Sequence, residues 1–328
     1  MDQLPDRRSV LLFSSMSALS ALSPGVLRAQ EEVRVKTFTY KKVGKLEIKA
    51  DVHRANDNVK RKVVVWIHGG ALINGHRAGV SRRVKKMMLD AGYALVSIDY
   101  RLAPETKLPG IMEDLEDAFA WIRKKGPELF NVDTRKIAVM GGSAGGCLTL
   151  TSGYRAKPRP TVLVSLWGYG DLIGDWYSKP SPHRRHNFRK ISKEQAYAQV
   201  AGPPVSDSRD RKGNGGMFYV YCRQQGIWPK EVSGWDPHKE SKKFFPYMAV
   251  KNVTPEFPPT MLIHGTKDTD VPYEQSVMMA EQFKEHRVEH QLVSIPNGEH
   301  GLGGGDKTLI DQAYASALAF VNKHMQEE

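Results

Sequence analysis

The stretch Ile137-Ala138-Val139-Met140-Gly141-Gly142-Ser143-Ala144-Gly145-Gly146-Cys147-Leu148 decides how the chain is read. An apolar run of strand character stops at two glycines. A serine follows, and after two more glycines residues 147–154 can run as a helix. This is the strand–turn–helix setting of the pattern G-x-S-x-G, which puts a serine at the tip of a sharp turn. Backbone bent so tightly needs neighbours without side chains two positions away on either side, and Gly141 and Gly145 meet that need. A glycine-rich turn with a helix-capping serine would satisfy the five residues taken alone. The surroundings decide between the two.

Working outward, strands and helices alternate. Lys62-Val63-Val64-Val65-Trp66-Ile67 is the continuous apolar run of a strand buried on both faces, and it ends in His68-Gly69-Gly70-Ala71. Residues 33–40 and 46–53 read as a hairpin around Gly44. A helix over 81–91, a strand over 93–98 and a helix over 111–125 lead to the serine strand, and a strand over 161–166 follows its helix. The rhythm resumes with a strand at 259–264, a helix at 273–285, a strand at 289–295 and a helix at 307–325. Alternation of this kind predicts an α/β fold with a mostly parallel sheet and helices on both faces. Residues 168–256 interrupt it with Gly, Pro, aromatic and charged residues, and short helical patterns at 192–200 and 217–225. A structureless loop of that length is out of place within a domain, so the segment reads as an inserted cap.

With 328 residues, 40% hydrophobic and 26% charged, the chain can bury a sizeable core. The net charge is +12, but the basic residues are scattered and carry no nucleic-acid-binding signature. Cys147 and Cys222 are too few for a disulfide framework, and no histidine or cysteine spacing suggests a metal. No cofactor is expected. Residues 1–29 follow the order of an export signal: Arg7-Arg8, an apolar serine-rich run over 10–22, then Pro24-Gly25 and Leu27-Arg28-Ala29 ahead of Gln30. The arginine pair is similar to a twin-arginine signal. The run falls short of the roughly 20 residues a permanent anchor needs. The expectation is a bacterial protein exported to the periplasm or beyond, without a stable membrane anchor, whose domain covers 30–328. Its oligomeric state is not legible.

Four blocks in order give the chain a family likeness. They are His68-Gly69-Gly70; Asp99-Tyr100-Arg101-Leu102-Ala103-Pro104-Glu105; the serine turn; and His264-Gly265-Thr266-Lys267-Asp268-Thr269-Asp270-Val271-Pro272 with Glu299-His300-Gly301. From about residue 60 onward, the cap excepted, the chain resembles the α/β-hydrolase superfamily. It is most similar to the esterase branch, with its hormone-sensitive-lipase-like and acetylxylan or feruloyl-esterase-like enzymes. The resemblance implies a nucleophile–acid–base order of Ser143, Asp268 and His300. A hydroxyl needs an imidazole to take its proton and a carboxylate to orient that imidazole. Asp270 is the rival acid; on the family pattern a change there should cost little. His264 reads as packing and His68 as an anchor for the Gly69-Gly70 turn.

The resemblance also implies an oxyanion hole of backbone N–H groups from Ala144, Gly69 and Gly70. Many relatives carry a third glycine where this chain has Ala71, which leaves the donor set open. The implied function is a serine carboxylic-ester hydrolase acting through an acyl-enzyme on short-chain, acetyl or feruloyl-type esters, small or on polysaccharide. Two alternatives stand beside it: a serine peptidase of the prolyl-oligopeptidase type, and a non-catalytic binding protein on the same scaffold. The stretch ahead of Lys62 is short for the propeller such peptidases carry, and the full Ser–Asp–His set speaks against the binding protein. Aromatic residues crowd the cap, and Trp176 and Tyr177 are the ones expected to line the substrate pocket.

Overall fold

The computed structural model describes residues 32–326. The expected export signal, residues 1–29, lies outside them. The strands are β1 (Val33–Val43), β2 (Leu46–Ala55), β3 (Arg61–Ile67), β4 (Ala94–Ile98), β5 (Val132–Gly142), β6 (Val162–Leu166), β7 (Thr260–Gly265) and β8 (His290–Ile295). They form one sheet in the order β1-β2-β4-β3-β5-β6-β7-β8. β1 and β2 pair antiparallel, as do β2 and β4, and every pairing from β4 through β8 is parallel.

The helices are α1 (Arg82–Asp90), α2 (Leu108–Phe130), α3 (Ala144–Arg155), α4 (Asp175–Ser178), α5 (Lys193–Tyr197), α6 (Gly216–Gln225), α7 (Trp228–Ser233), α8 (Glu274–Glu285) and α9 (Lys307–Met325). The apolar run of β3 shows why a sheet covered on both faces forms. Val63, Val65 and Ile67 enter one core with Leu115 and Phe119 of α2 and Leu148 of α3. Val64 and Trp66 enter the other with Val84 and Met88 of α1 and Ala317 and Phe320 of α9. Each side chain buried in this way contributes about 1.5–3 kcal/mol.

Two elements depart from the sequence reading. α2 does not stop near Lys125 but crosses Gly126-Pro127 and ends at Phe130. Phe130 is 4% exposed and packs where a Cβ on Gly126 would lie 3.0 Å from its ring, so burial of one aromatic extends the helix past its stop signals. The insertion holds α5 and α6 near the expected places, plus α4 and α7. It does not enclose a core of its own. Tyr169, Tyr177, Phe218 and Trp228 join the same cluster as β3 and α2. Among the described residues no helix is long and apolar enough to cross a membrane.

Candidate active site

β5 runs straight into α3 through Ser143, whose backbone sits at φ 58°, ψ −123°. A non-glycine residue held there is strained, and the surrounding structure must over-determine it. Two features do so. The Ser143 N–H donates to the Leu166 carbonyl of β6 at 2.9 Å. Gly145 packs so tightly on the end of β3 that a Cβ would lie 2.0 Å from the Ile67 carbonyl oxygen. Ala144 is the first residue of α3, so its N–H belongs to those a helix leaves unpaired at its start.

The loop after β3 closes on Ser143 from one side. A Cβ on Gly69 would stand 3.2 Å from the Ser143 Cβ. Gly70 has φ +108°, and a Cβ there would fall 2.0 Å from the Asn74 carbonyl oxygen. Ala71 and Leu72 follow at φ 56° and 60°, so this turn is strained at two residues running. His68 stacks on Tyr100 with 4.3 Å between centroids, and burial pushes its imidazole down to about 4, against a hydrogen bond from Nδ1 to the Gly69 carbonyl. A neutral, stacked ring is a wall rather than a proton carrier.

Behind the loop, Asp99 takes the Arg77 backbone N–H on one oxygen and its guanidinium on the other, both at 2.6 Å. Burial holds the Asp99 carboxyl up at about 7 despite that pull. Arg101 pairs with the fully buried Asp114 at 2.7 Å. Arg211 of the insertion pairs with Glu105 and donates to the Ala103 carbonyl at 2.8 Å. Trp228 of α7 donates its indole N–H to the Ala71 carbonyl at 2.9 Å. The block from Asp99 to Glu105 is therefore a brace.

The loops after β7 and β8 carry the candidate acid and base. His300 Nδ1 lies 2.8 Å from Asp268 Oδ2, and His264 Nε2 lies 3.2 Å from the same oxygen. Asp268 Oδ1 accepts the backbone N–H groups of Asp270 (2.8 Å) and Val271 (2.9 Å). Burial raises this carboxyl, but the two imidazoles and the backbone donors outweigh it and bring it to about 2. His264 is thus more than packing: it shares the carboxylate with His300 and is anchored by Ser276 at 2.7 Å. The only sequence signal was its position four residues before Asp268. Glu299 joins the two loops, accepting from Thr269 Oγ1 (2.8 Å) and from the His300 N–H (3.1 Å). Trp167, at φ 39°, sets its indole edge-on to His300 at 6.3 Å and lies against Gly142. One ring therefore borders both the serine turn and the histidine.

Asp270 does not take the acid's place at Nδ1. Its Oδ1 meets His186 Nε2 (2.9 Å), Arg223 Nη1 (3.0 Å) and the Tyr219 hydroxyl, all from the insertion. Its Oδ2 lies 3.6 Å from Arg185 and 3.7 Å from His300 Nε2. Trp176 and Tyr177 are not two walls of an open pocket. Tyr177, 1% exposed, is sandwiched between Trp176 (3.6 Å) and Trp228 (3.9 Å), because three flat rings bury more area stacked than splayed. Trp176 is the half-exposed end of that stack. Arg223 caps both rings, at 5.6 and 4.9 Å. Cys147 is buried behind the turn with its thiol pushed up to about 12, too weakly acidic to act as a nucleophile.

Residues 51–163 match the BD-FAE family, and residues 198–328 match the prolyl oligopeptidase family. Among solved structures the chain is similar to an α/β-hydrolase superfamily protein from Enterococcus faecalis, with 22% identity and a TM-score of 0.67 over 84% of this chain and 96% of that one. It is also similar to an acetyl ester-xyloside bifunctional hydrolase from Caldicellulosiruptor lactoaceticus, with 18% identity and a TM-score of 0.64 over 88% and 96%. The non-reducing polyketide synthase adrD of Penicillium rubens is 27% identical over 90% of this chain, which spans only 14% of the synthase. The fold is that of the α/β hydrolases, and the two family matches, each over less than half of the chain, follow one another along it. The BD-FAE match and the four sequence blocks liken the first part to the esterase branch, and the match over 198–328 likens the last part to the prolyl oligopeptidases.

Proposed function

We propose that the chain is a serine ester hydrolase. His300 takes the Ser143 proton at Nε2 while Ser143 Oγ attacks the ester carbonyl carbon. Asp268 holds the imidazole in the tautomer that leaves Nε2 free, and stabilises the imidazolium that forms. The oxyanion is received by backbone N–H groups of Ala144 and of Gly69 or Gly70, and His300 returns the proton to the departing alcohol. Water then cleaves the acyl-enzyme by the same steps. The observation that carries this reading is the 2.8 Å contact between His300 and a carboxylate held at about 2, together with a serine on a positive-φ turn whose neighbour Trp167 also borders His300.

Short-chain, acetyl or feruloyl esters, free or on polysaccharide, are the proposed substrates. Export through the leader at 1–29 belongs to the same proposal, and N-terminal sequencing of exported material should find a start near Gln30. The prolyl oligopeptidase match over 198–328 favours a second reading, peptide-bond cleavage after proline. A panel of p-nitrophenyl esters, acetylated xylan and a proline-containing peptide amide separates the two. Turnover of the esters, lost by roughly 10⁴-fold or more in Ser143→Ala, is expected. Turnover of the amide alone would replace the first reading by the second.

A further inference from the structure

A second carboxylate stands on the far side of the catalytic imidazole, and the insertion holds it there. The geometry points to Asp270 as a positioning residue: gripped by His186, Tyr219 and Arg223, it aims a fixed negative charge at Nε2 of His300. The inference rests on the serine-hydrolase reading above and extends it to a residue which that chemistry does not require.

Asp270 is nearly buried, and one of its oxygens is fully engaged. Oδ1 faces His186 Nε2 (2.9 Å), Arg223 Nη1 (3.0 Å) and the Tyr219 hydroxyl, while Arg223 also donates to the Asp270 carbonyl at 3.0 Å. His186 is itself fixed through Nδ1 to Ser181 Oγ at 2.8 Å. Three side chains drawn from two parts of the insertion thus set the rotation of one carboxylate. That rotation leaves Oδ2 pointing back toward the active site, 3.7 Å from His300 Nε2. The distance lies outside hydrogen-bond range, so Asp270 does not receive the proton.

What Oδ2 supplies is a field. When Ser143 gives its proton to Nε2, the ring becomes positive, and a carboxylate near that nitrogen favours the charged ring over the neutral one. A preorganised charge of this kind stabilises the transition state without moving during the reaction. The charged groups around His300 are Asp268 on Nδ1, Asp270 facing Nε2, and Glu299 on the backbone N–H. Against them stand the cations Arg185, 3.6 Å from Asp270 Oδ2, and Arg223 on Oδ1. Two cations therefore stand against the three carboxylates around this ring.

The test measures kcat and KM for p-nitrophenyl acetate in the wild type, Asp270→Asn and Tyr219→Phe, with Ser143→Ala beside them and thermal melts of all four. Asp270→Asn keeps the shape and removes the charge. Its kcat should fall on the order of 10- to 100-fold while KM stays within about twofold. Tyr219→Phe frees one tie on Oδ1 and should lose a few-fold in kcat. It decides the question if Asp270→Asn fails to fold around the buried Arg223. Formate added to Asp270→Ala should restore part of the lost kcat, which a purely structural role would not allow. Unchanged kcat in Tyr219→Phe and in whichever Asp270 variant folds overturns the proposal. So does a loss confined to KM or to thermal stability. If Ser143→Ala keeps turnover, the serine reading and this proposal fall together; if Ser143→Ala is inactive and Asp270→Asn runs at full rate, only this proposal falls.

Discussion

The loop after β3 and the paired loops after β7 and β8 are held in place by different physics. The first offers main chain. Gly69 and Gly70 come close because they lack side chains, and the strain at Ala71 and Leu72 is held by distant donors such as Trp228. The second offers side chains. Asp268, His264, His300 and Glu299 hold one another through hydrogen bonds no longer than 3.2 Å. A backbone-built half resists changes of charge and is broken by a single added methyl. A half whose acid and base hold one another through side chains is broken, beyond that, by moving a proton.

The largest test of that contrast is Asp268→Asn. The amide keeps the volume but presents the wrong partner to His300 Nδ1, and kcat should drop by roughly 10³- to 10⁴-fold with the fold retained. A loss below tenfold in the ester assay would show that this half does not depend on the carboxylate's charge. Next comes Gly70→Ala, which changes no charge at all. A methyl 2.0 Å from the Asn74 carbonyl oxygen, at φ +108°, must displace the turn. A kcat loss of about 10²- to 10³-fold is expected, comparable to removing an oxyanion donor. Near wild-type kcat would show that the turn can relax.

A smaller effect separates Trp176 from Tyr177. Trp176→Ala should change the ratio of kcat/KM between acetyl and bulkier esters by about 1–3 kcal/mol. Tyr177→Ala should mainly lower the melting temperature, because it opens a cavity between two stacked rings. Equal shifts in ester preference from both variants would put Tyr177 back in the pocket.

The smallest test asks whether the backbone half is truly indifferent to protons. Asp99 braces it through Arg77, and its folded carboxyl lies at about 7 against roughly 3.9 unfolded. Between those values the folded protein binds the extra proton, so its contribution to stability falls as pH rises from about 4 through 7. Asp268 works in the opposite sense. Its carboxyl is depressed to about 2, so its contribution is complete above about 4 and is lost as pH falls through 2. Thermal melts across this range should show Asp99→Asn flattening the fall toward neutral pH. An unchanged slope would rule Asp99 out as its source.

Much of this was legible in the chain. The apolar run of β3 and the glycines about Ser143 are short-range patterns, and Asp268 and His300 lie in the loops after β7 and β8 as the strand alternation implied. The insertion was not legible, because its packing rests on polar and aromatic pairs far apart in sequence. Trp228 meets Ala71 and Arg223 meets Asp270 with no period to announce either. Reading Tyr177 as pocket-facing failed for the same reason: composition shows that aromatics are abundant, not which of them stack. His264 and Asp270 lie within the recognised block, yet their partners lie outside it.

The hydrogen bond from the Trp228 indole to the Ala71 carbonyl bears on protein engineering. Exchanging residues 168–256 for a relative's segment looks like swapping a modular lid to alter substrate range. Here the same cut would remove the donor that steadies the strained turn at Ala71 and the residues that grip Asp270. A chimaera has to bring an indole, or another long donor, to that carbonyl before its new pocket can be judged. The insertion and the candidate site beneath it are a single mechanical part.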